Sequence, residues 1–477
     1  MKNLLTALLL LFAMTASAKI TLPSVVGNDM VLQQQSEARI WGKATANVDV
    51  VVTTSWQEGS VHAKADKNGN WEVKVQTPAA SFAEQTLTIV DMKDMQGVTL
   101  TGILIGEVWL ASGQSNMEMP LRGFDGCGVK NGVSDAMHAM KNSPYVRMFT
   151  VKKRDDALTP QEDCEGAWQK PLAKNALWFS ATAYYFANAL SDALQVPVGI
   201  VNASYGGTRI EGWMSKEILK NDPKVNLDEK AIMSRGAWDR PTVNYYGMFY
   251  PVKNYTYKGI IWYQGCSNVG DHAPYAQQMA DMVSLWRNDL QQGEIPFYYV
   301  ELAPYHYFGG QANKAAYLRE AQFKAQDMIP NSGMVCTNDL VEPFELMNIH
   351  PGNKRAVGER LTTMALNKTY GYTDITCEGP RFKAYEIKDG AVAVSFDHLQ
   401  QGICRNYDIH GFEVAGEDRV FYPAEANFVW QTNQVFLKSE KVPNPVAARY
   451  CFKDWQIGAF YGGDFQPLVP FRTDDWE

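Results

Sequence analysis

Between residues 103 and 375 the chain alternates short, continuously apolar runs with longer amphipathic ones. The runs at 105–111, 198–203, 259–263, 297–302 and 333–337 read as strands, and the stretches at 181–194, 275–290, 315–328 and 353–366 as helices. A strand that is apolar at every position is buried on both faces, and strands separated by helices cannot pair as simple hairpins. The pattern therefore requires an α/β fold in which a parallel sheet is covered by helices on both sides. Ligands of such sheets bind beyond the carboxyl ends of the strands.

The flanking segments follow a different period. Residues 19–102 show two-residue alternation, as in Trp71-Glu72-Val73-Lys74-Val75 behind the turn Asp66-Lys67-Asn68-Gly69-Asn70. They read as an N-terminal β-sandwich, or alternatively as extra strands of the main domain. Residues 376–477 return to strands and form a C-terminal β-rich region. Residues 1–18, with Lys2, an apolar core and Ala16-Ser17-Ala18, match a signal peptide, so the mature chain is expected to begin at Lys19 in the periplasm or outside the cell. Net charge is −8 with no basic tract, which disfavours nucleic acid and anionic membrane surfaces as partners, and no stretch after residue 18 is long and apolar enough for stable membrane insertion. Seven cysteines, an odd number, leave at least one thiol without an intramolecular partner.

Four motifs stand at or just beyond strand ends. In Gly113-Gln114-Ser115-Asn116-Met117 a serine occupies the turn after the first strand. There it can project its hydroxyl over the sheet with a helix N-terminus behind it, or simply act as an N-cap. Gly206 and Gly207 follow the second strand. Paired glycines let backbone N–H groups approach a ligand, as an oxyanion hole requires, or make an ordinary tight turn. After the third strand, Gln264 and Asn268 carry amides that suit either an oxyanion or loop backbone. Pro351 fits the first position of the helix that follows, leaving His350 in the loop at its mouth. Serine near the start of a sheet and histidine near its end form a workable nucleophile–base pair.

Together GQSNM (113–117), NASYGGTRIEGW (202–213), WYQGCSN (262–268) and NIHPGNK (348–354) resemble the sialate O-acetylesterase family of the SGNH hydrolase superfamily. The likeness extends to LPSVVGNDMVLQQ (22–34), FYPAEANF (421–428) and NPVAARYCFKDW (444–455), so it spans nearly the whole mature chain. It implies an SGNH-type sheet with Ser115 as nucleophile and His350 as general base. The oxyanion hole would combine the Ser115 N–H, the Gly207 N–H (or that of Gly206) and a side-chain amide, Gln264 before Asn268. Asn116, Arg209, Glu211 and Trp213 would shape the sugar pocket. Many relatives carry glutamate where this chain has Cys266. Superfamily members often carry aspartate where it has Met347. Asp339 is then the first choice to orient His350, with Glu342, Glu345, a backbone carbonyl or a bare Ser–His dyad as alternatives.

The implied reaction removes O-acetyl groups from sialic acids through an acetyl-enzyme, with no metal or organic cofactor. Acetylated xylan or another hemicellulose is the alternative substrate, served by the same machinery. Arg209 could meet a sialate carboxylate, or pair with Glu211. A carbohydrate-binding protein without catalysis is a reading of a different class. The sequons at Asn202, Asn254 and Asn367 read as chance.

Overall fold

The computed structural model describes residues 20–307, 312–399, 401–405 and 407–476; the expected signal peptide lies outside them. Seven strands precede the serine motif: β1 (Val31–Gln33), β2 (Glu37–Lys43), β3 (Asp49–Thr54), β4 (Ser60–Lys64), β5 (Asn70–Gln76), β6 (Ser81–Asp91) and β7 (Gln96–Gly113). Six more build the rest of the central sheet: β8 (Val146–Thr150), β9 (Trp168–Gln169), β10 (Val198–Ser204), β11 (Gly259–Tyr263), β12 (Phe297–Val300) and β13 (Ser332–Val335). Their order is β13-β12-β11-β7-β10-β8-β9, parallel except for β9 at the edge.

β7 organises the molecule. Its first half pairs antiparallel with β6, and its second half lies at the centre of the parallel sheet. Burial changes accordingly: several of its first residues are exposed, whereas every residue from Ile103 onward is buried. The change of period at residue 103 thus records a change of surroundings within one continuous strand. The expected boundary between residues 102 and 103 falls inside it, and β1, β3, β4 and β6 share a sheet with the α/β core, whereas β2 and β5 pair with each other. Alternation still governs these strands. Trp71, Val73 and Val75 of β5 point inward and join Ile40, Val50, Val52 and Ile89 in one apolar cluster.

Helices cover both faces of the parallel strands. Ala181–Leu194 and Lys354–Lys368 pack on one face with Ile200, Ile261 and Tyr298. Tyr275–Leu290 and Lys314–Met328 cover the other with Val201, Ile260 and Trp262. The C-terminal region forms two four-stranded sheets and docks through Asp454, whose carboxylate accepts the Ala315 N–H at 2.7 Å. All seven cysteines are free thiols, and among the described residues no helix is long and apolar enough to cross a membrane.

From β7 the chain builds β10 and β8 on one side and β11, β12 and β13 on the other. The switch of direction therefore lies at the carboxyl end of β7. Gly113 there is level with Ser204 of β10 and Tyr263 of β11, which brings three of the four motifs together.

Candidate active site

The serine turn is shaped by a close approach. Gly113 has φ +137, and a Cβ on it would lie 2.2 Å from the Tyr263 carbonyl oxygen, so only glycine fits beside β11. The next side chain fastens the same junction, as Gln114 Oε1 accepts the Gly265 N–H at 2.7 Å. Ser115 then opens the single-turn helix Ser115–Glu118 and is half-buried.

The glycine turn after β10 abuts this serine. A Cβ on Gly206 would stand 3.4 Å from Ser115 Cβ. Gly206 does not have a free N–H, however: it donates to Glu118 Oε2 at 2.5 Å, and Glu118 also pairs with Lys153 at 2.6 Å. Gly207, at φ +79, takes the left-handed conformation. Among the described residues the N–H groups of Ser115 and Gly207 meet no protein acceptor. Of the two expected glycine donors, Gly207 is the available one.

The amides expected from the third motif are spent on the fold. Gln264 is fully buried; its Nε2 donates to the Thr208 carbonyl and to Asn268 Oδ1, and its Oε1 accepts from Tyr275. Asn268 is equally buried, donating to Glu211 and accepting the Ile210 N–H. These bonds brace the β10 and β11 loops and occupy both Gln264 amide hydrogens, while Asn268 gives one of its two to Glu211.

Of the expected sugar-pocket residues, Arg209 and Glu211 line a cleft of about 240 Å³ with Trp238 and Asp271, and each has partners of its own. Arg209 is neutralised by Glu211 and Asp271, each at 2.9 Å. Glu211 is buried as the acceptor for Arg209 and Asn268. Trp213 is fully buried against Trp262 and Trp286, its indole N–H donating to Thr208. Asn202, the first sequon, is buried and accepts from Ser204.

His350 lies against the Phe124 ring, with centroids 5.1 Å apart. Burial, reinforced by the Lys354 ammonium, lowers its pKa to about 4, so the imidazole is neutral over the ordinary pH range. Neither ring nitrogen bonds a carboxylate among the described residues. Asp339 is held by both terminal nitrogens of Arg360, at 2.7 and 2.6 Å. Glu345 instead orders the loop backbone, accepting the Gly352 N–H at 2.8 Å and the Glu342 N–H at 2.9 Å. Glu342 is the N-cap of the same turn and half-exposed.

The histidine loop and the serine turn are joined directly. Asn116 Nδ2 donates to the Ile349 carbonyl at 3.0 Å, and Asn116 Oδ1 accepts from Lys354 Nζ at 2.6 Å. Asn116 is thus a buried brace between the two motifs, and Cys266 lies beside it. Sequence reading passed over Glu118, Phe124 and Lys354. Only Lys354 had a visible signal, as the last residue of NIHPGNK. A cleft of about 430 Å³ opens nearby, lined by Glu118, Arg122, Phe124, Lys153, Trp178 and Asn202. Trp178 is exposed, with Arg122 stacked 4.6 Å from its ring.

A family model described as carbohydrate esterase, sialic acid-specific acetylesterase matches residues 105–367. The chain belongs to this family. The carbohydrate esterase is 27% identical to the sialate O-acetylesterase of Rattus norvegicus, over 94% of this chain and 93% of that one. Identity to the sialate O-acetylesterase of Homo sapiens is also 27%, with 94% and 91% covered. A solved structure of a carbohydrate acetylesterase from Xanthomonas citri matches with TM-score 0.84 at 31% identity, covering 96% of this chain and all of that one. The protein is a carboxylic ester hydrolase.

Proposed function

We propose that this carbohydrate esterase is an exported serine esterase that removes O-acetyl groups from sialic acids by Ser–His catalysis. Residues 103–375 carry the chemistry, and 19–102 and 376–477 frame it. Ser115 Oγ attacks the acetyl carbonyl while neutral His350 accepts its proton. The tetrahedral oxyanion faces the Ser115 and Gly207 N–H groups, two backbone donors that need no reorganisation. Collapse releases the sugar hydroxyl, protonated by His350, and leaves acetyl-Ser115. A water that gives its proton to His350 then releases acetate. The observation that carries this reading is the junction at the end of β7, where Ser115, the unpartnered Gly207 N–H and the His350 loop meet. With Asp339 committed to Arg360, the pair works as a dyad.

A second substrate reading has its own support. The cations around the mouth are paired: Arg209 with Glu211 and Asp271, Lys153 with Glu118, Arg122 with Asp125. A sialate carboxylate would find no unpaired partner among them, which favours a neutral acetylated sugar such as a hemicellulose fragment. Acetate release from O-acetylated sialic acid and from acetylated xylo-oligosaccharide, measured in parallel, decides between the two. Ser115→Ala is expected to abolish release from either, by about 10⁴-fold or more. Full activity in that variant would remove Ser115 from the mechanism. A wild-type protein that binds sugar but releases no acetate would favour a binding protein without catalysis.

A further inference from the structure

Lys354 places an amine where neither burial nor helix position favours its charged form. It is the first residue of the helix Lys354–Lys368 and is 1% exposed. Its ammonium is therefore out of water and at the positive end of a helix dipole. Burial lowers its pKa to about 7. Among the described residues no carboxylate lies within 4 Å of it, and the charged or titratable groups facing it are Cys266, Glu345, Cys127 and His350. Its close contacts are the Asn116 amide oxygen, 2.6 Å from Nζ, and the Tyr263 ring, 5.5 Å below.

The geometry points to Lys354 as a positioning residue whose ammonium fixes the Asn116 amide and thereby locks the Ser115 turn to the His350 loop. An ammonium only donates, so Asn116 must present its oxygen to Lys354 and its NH₂ to the Ile349 carbonyl. Ser115 and His350 are the chain neighbours of Asn116 and Ile349 at the two ends of that bond. The same cation opposes protonation of His350. Lys354 touches no substrate; it acts through the residues that do. This inference rests on the reading of Ser115 and His350 as nucleophile and base.

The test compares wild type, Lys354→Met, Lys354→Arg, Asn116→Ala and the double variant Lys354→Met/Asn116→Ala on 4-nitrophenyl acetate, with circular dichroism to establish folding. Lys354→Met is expected to lower kcat by about 10²-fold, the scale of a misplaced reacting pair, with KM changed by about twofold at most. Its acid limb of kcat/KM should move to higher pH, because the charge opposing the imidazolium is gone. Asn116→Ala should lower kcat while leaving that limb in place, since the cation remains. The double variant should be no slower than Asn116→Ala, as expected of two residues acting in series. Additive losses, an unmoved limb in Lys354→Met or an effect on KM alone would overturn the proposal. If Lys354→Met does not fold, Lys354→Arg carries the test: its limb must stay at the wild-type position. Ser115→Ala runs alongside, and activity surviving there would overturn the nucleophile assignment whatever the lysine variants do.

Discussion

Two side chains at this site are set by what surrounds them. The His350 imidazole is buried against Phe124 and near the Lys354 cation, and both features disfavour its protonated form. A base whose pKa is lowered stays competent as pH falls until that pKa is crossed. The kcat/KM profile should therefore keep its activity below the ordinary histidine range and fall only near pH 4. A limb near the ordinary value of about 6.5 would show that His350 is not the titrating base. Asp339 gives the opposite test. It is paired with Arg360, and both side chains are largely buried. Asp339→Asn should lower stability by roughly 3–5 kcal/mol in denaturant unfolding, because it strands the guanidinium charge. An orienting acid of a triad would instead lose about 10⁴-fold in kcat when made an amide. Retained kcat with a lowered midpoint is the expected outcome.

At the scale of the element, the turn after β10 separates its two glycines by role. Gly206 gives its N–H to Glu118, while Gly207 turns left-handed over the Trp238 side chain. A Cβ at Gly207 would sit 3.1 Å from Trp238 Cβ and at a φ that L-residues resist. Gly207→Ala is expected to displace its N–H and to lower kcat by about 10²–10³-fold, the usual consequence of losing one oxyanion donor. Gly206 has no positive φ, so Gly206→Ala should be milder. Steady-state kinetics of the two variants side by side would show the asymmetry, and equal losses would argue that the turn acts only as a spacer.

Across the whole molecule, β7 transmits order from the N-terminal strands to the active end of the sheet. Glu107, six residues before Gly113, accepts from Gln33 at 3.1 Å, Gln34 at 2.7 Å and Tyr370 at 2.7 Å. One carboxylate thus ties the N-terminal segment, the central strand and the end of the last helix together. Glu107→Ala would leave these donors without their acceptor. It should destabilise the protein by roughly 3 kcal/mol, read as a lower denaturant midpoint in a single transition. A separate early transition for the N-terminal strands would show that they fold independently and that β7 does not couple them.

The sequence by itself determined the elements and the order of the motifs. The helices at 181–194 and 275–290 and the strand at 259–263 were expected at the residues where they occur. Local periodicity specifies such elements because burial on one face or two is written into neighbouring side chains. It also placed Ser115, Gly207 and His350 beyond strand ends, which chain order alone can show. The short strand β8 and the continuity of β7 across residue 102 escaped it. Only the tertiary structure decided which polar groups remained available. Gln264, Asn268, Glu211 and Asp339 look like site residues in one dimension, yet each is satisfied by a partner that the fold supplies. Lys354 looked like the tail of a motif and is instead the buried partner of Asn116. A side chain's chemical freedom depends on the groups packed around it; Thr208 reaches Gln264 across 56 residues and Lys354 reaches Asn116 across 238, separations that no local pattern encodes.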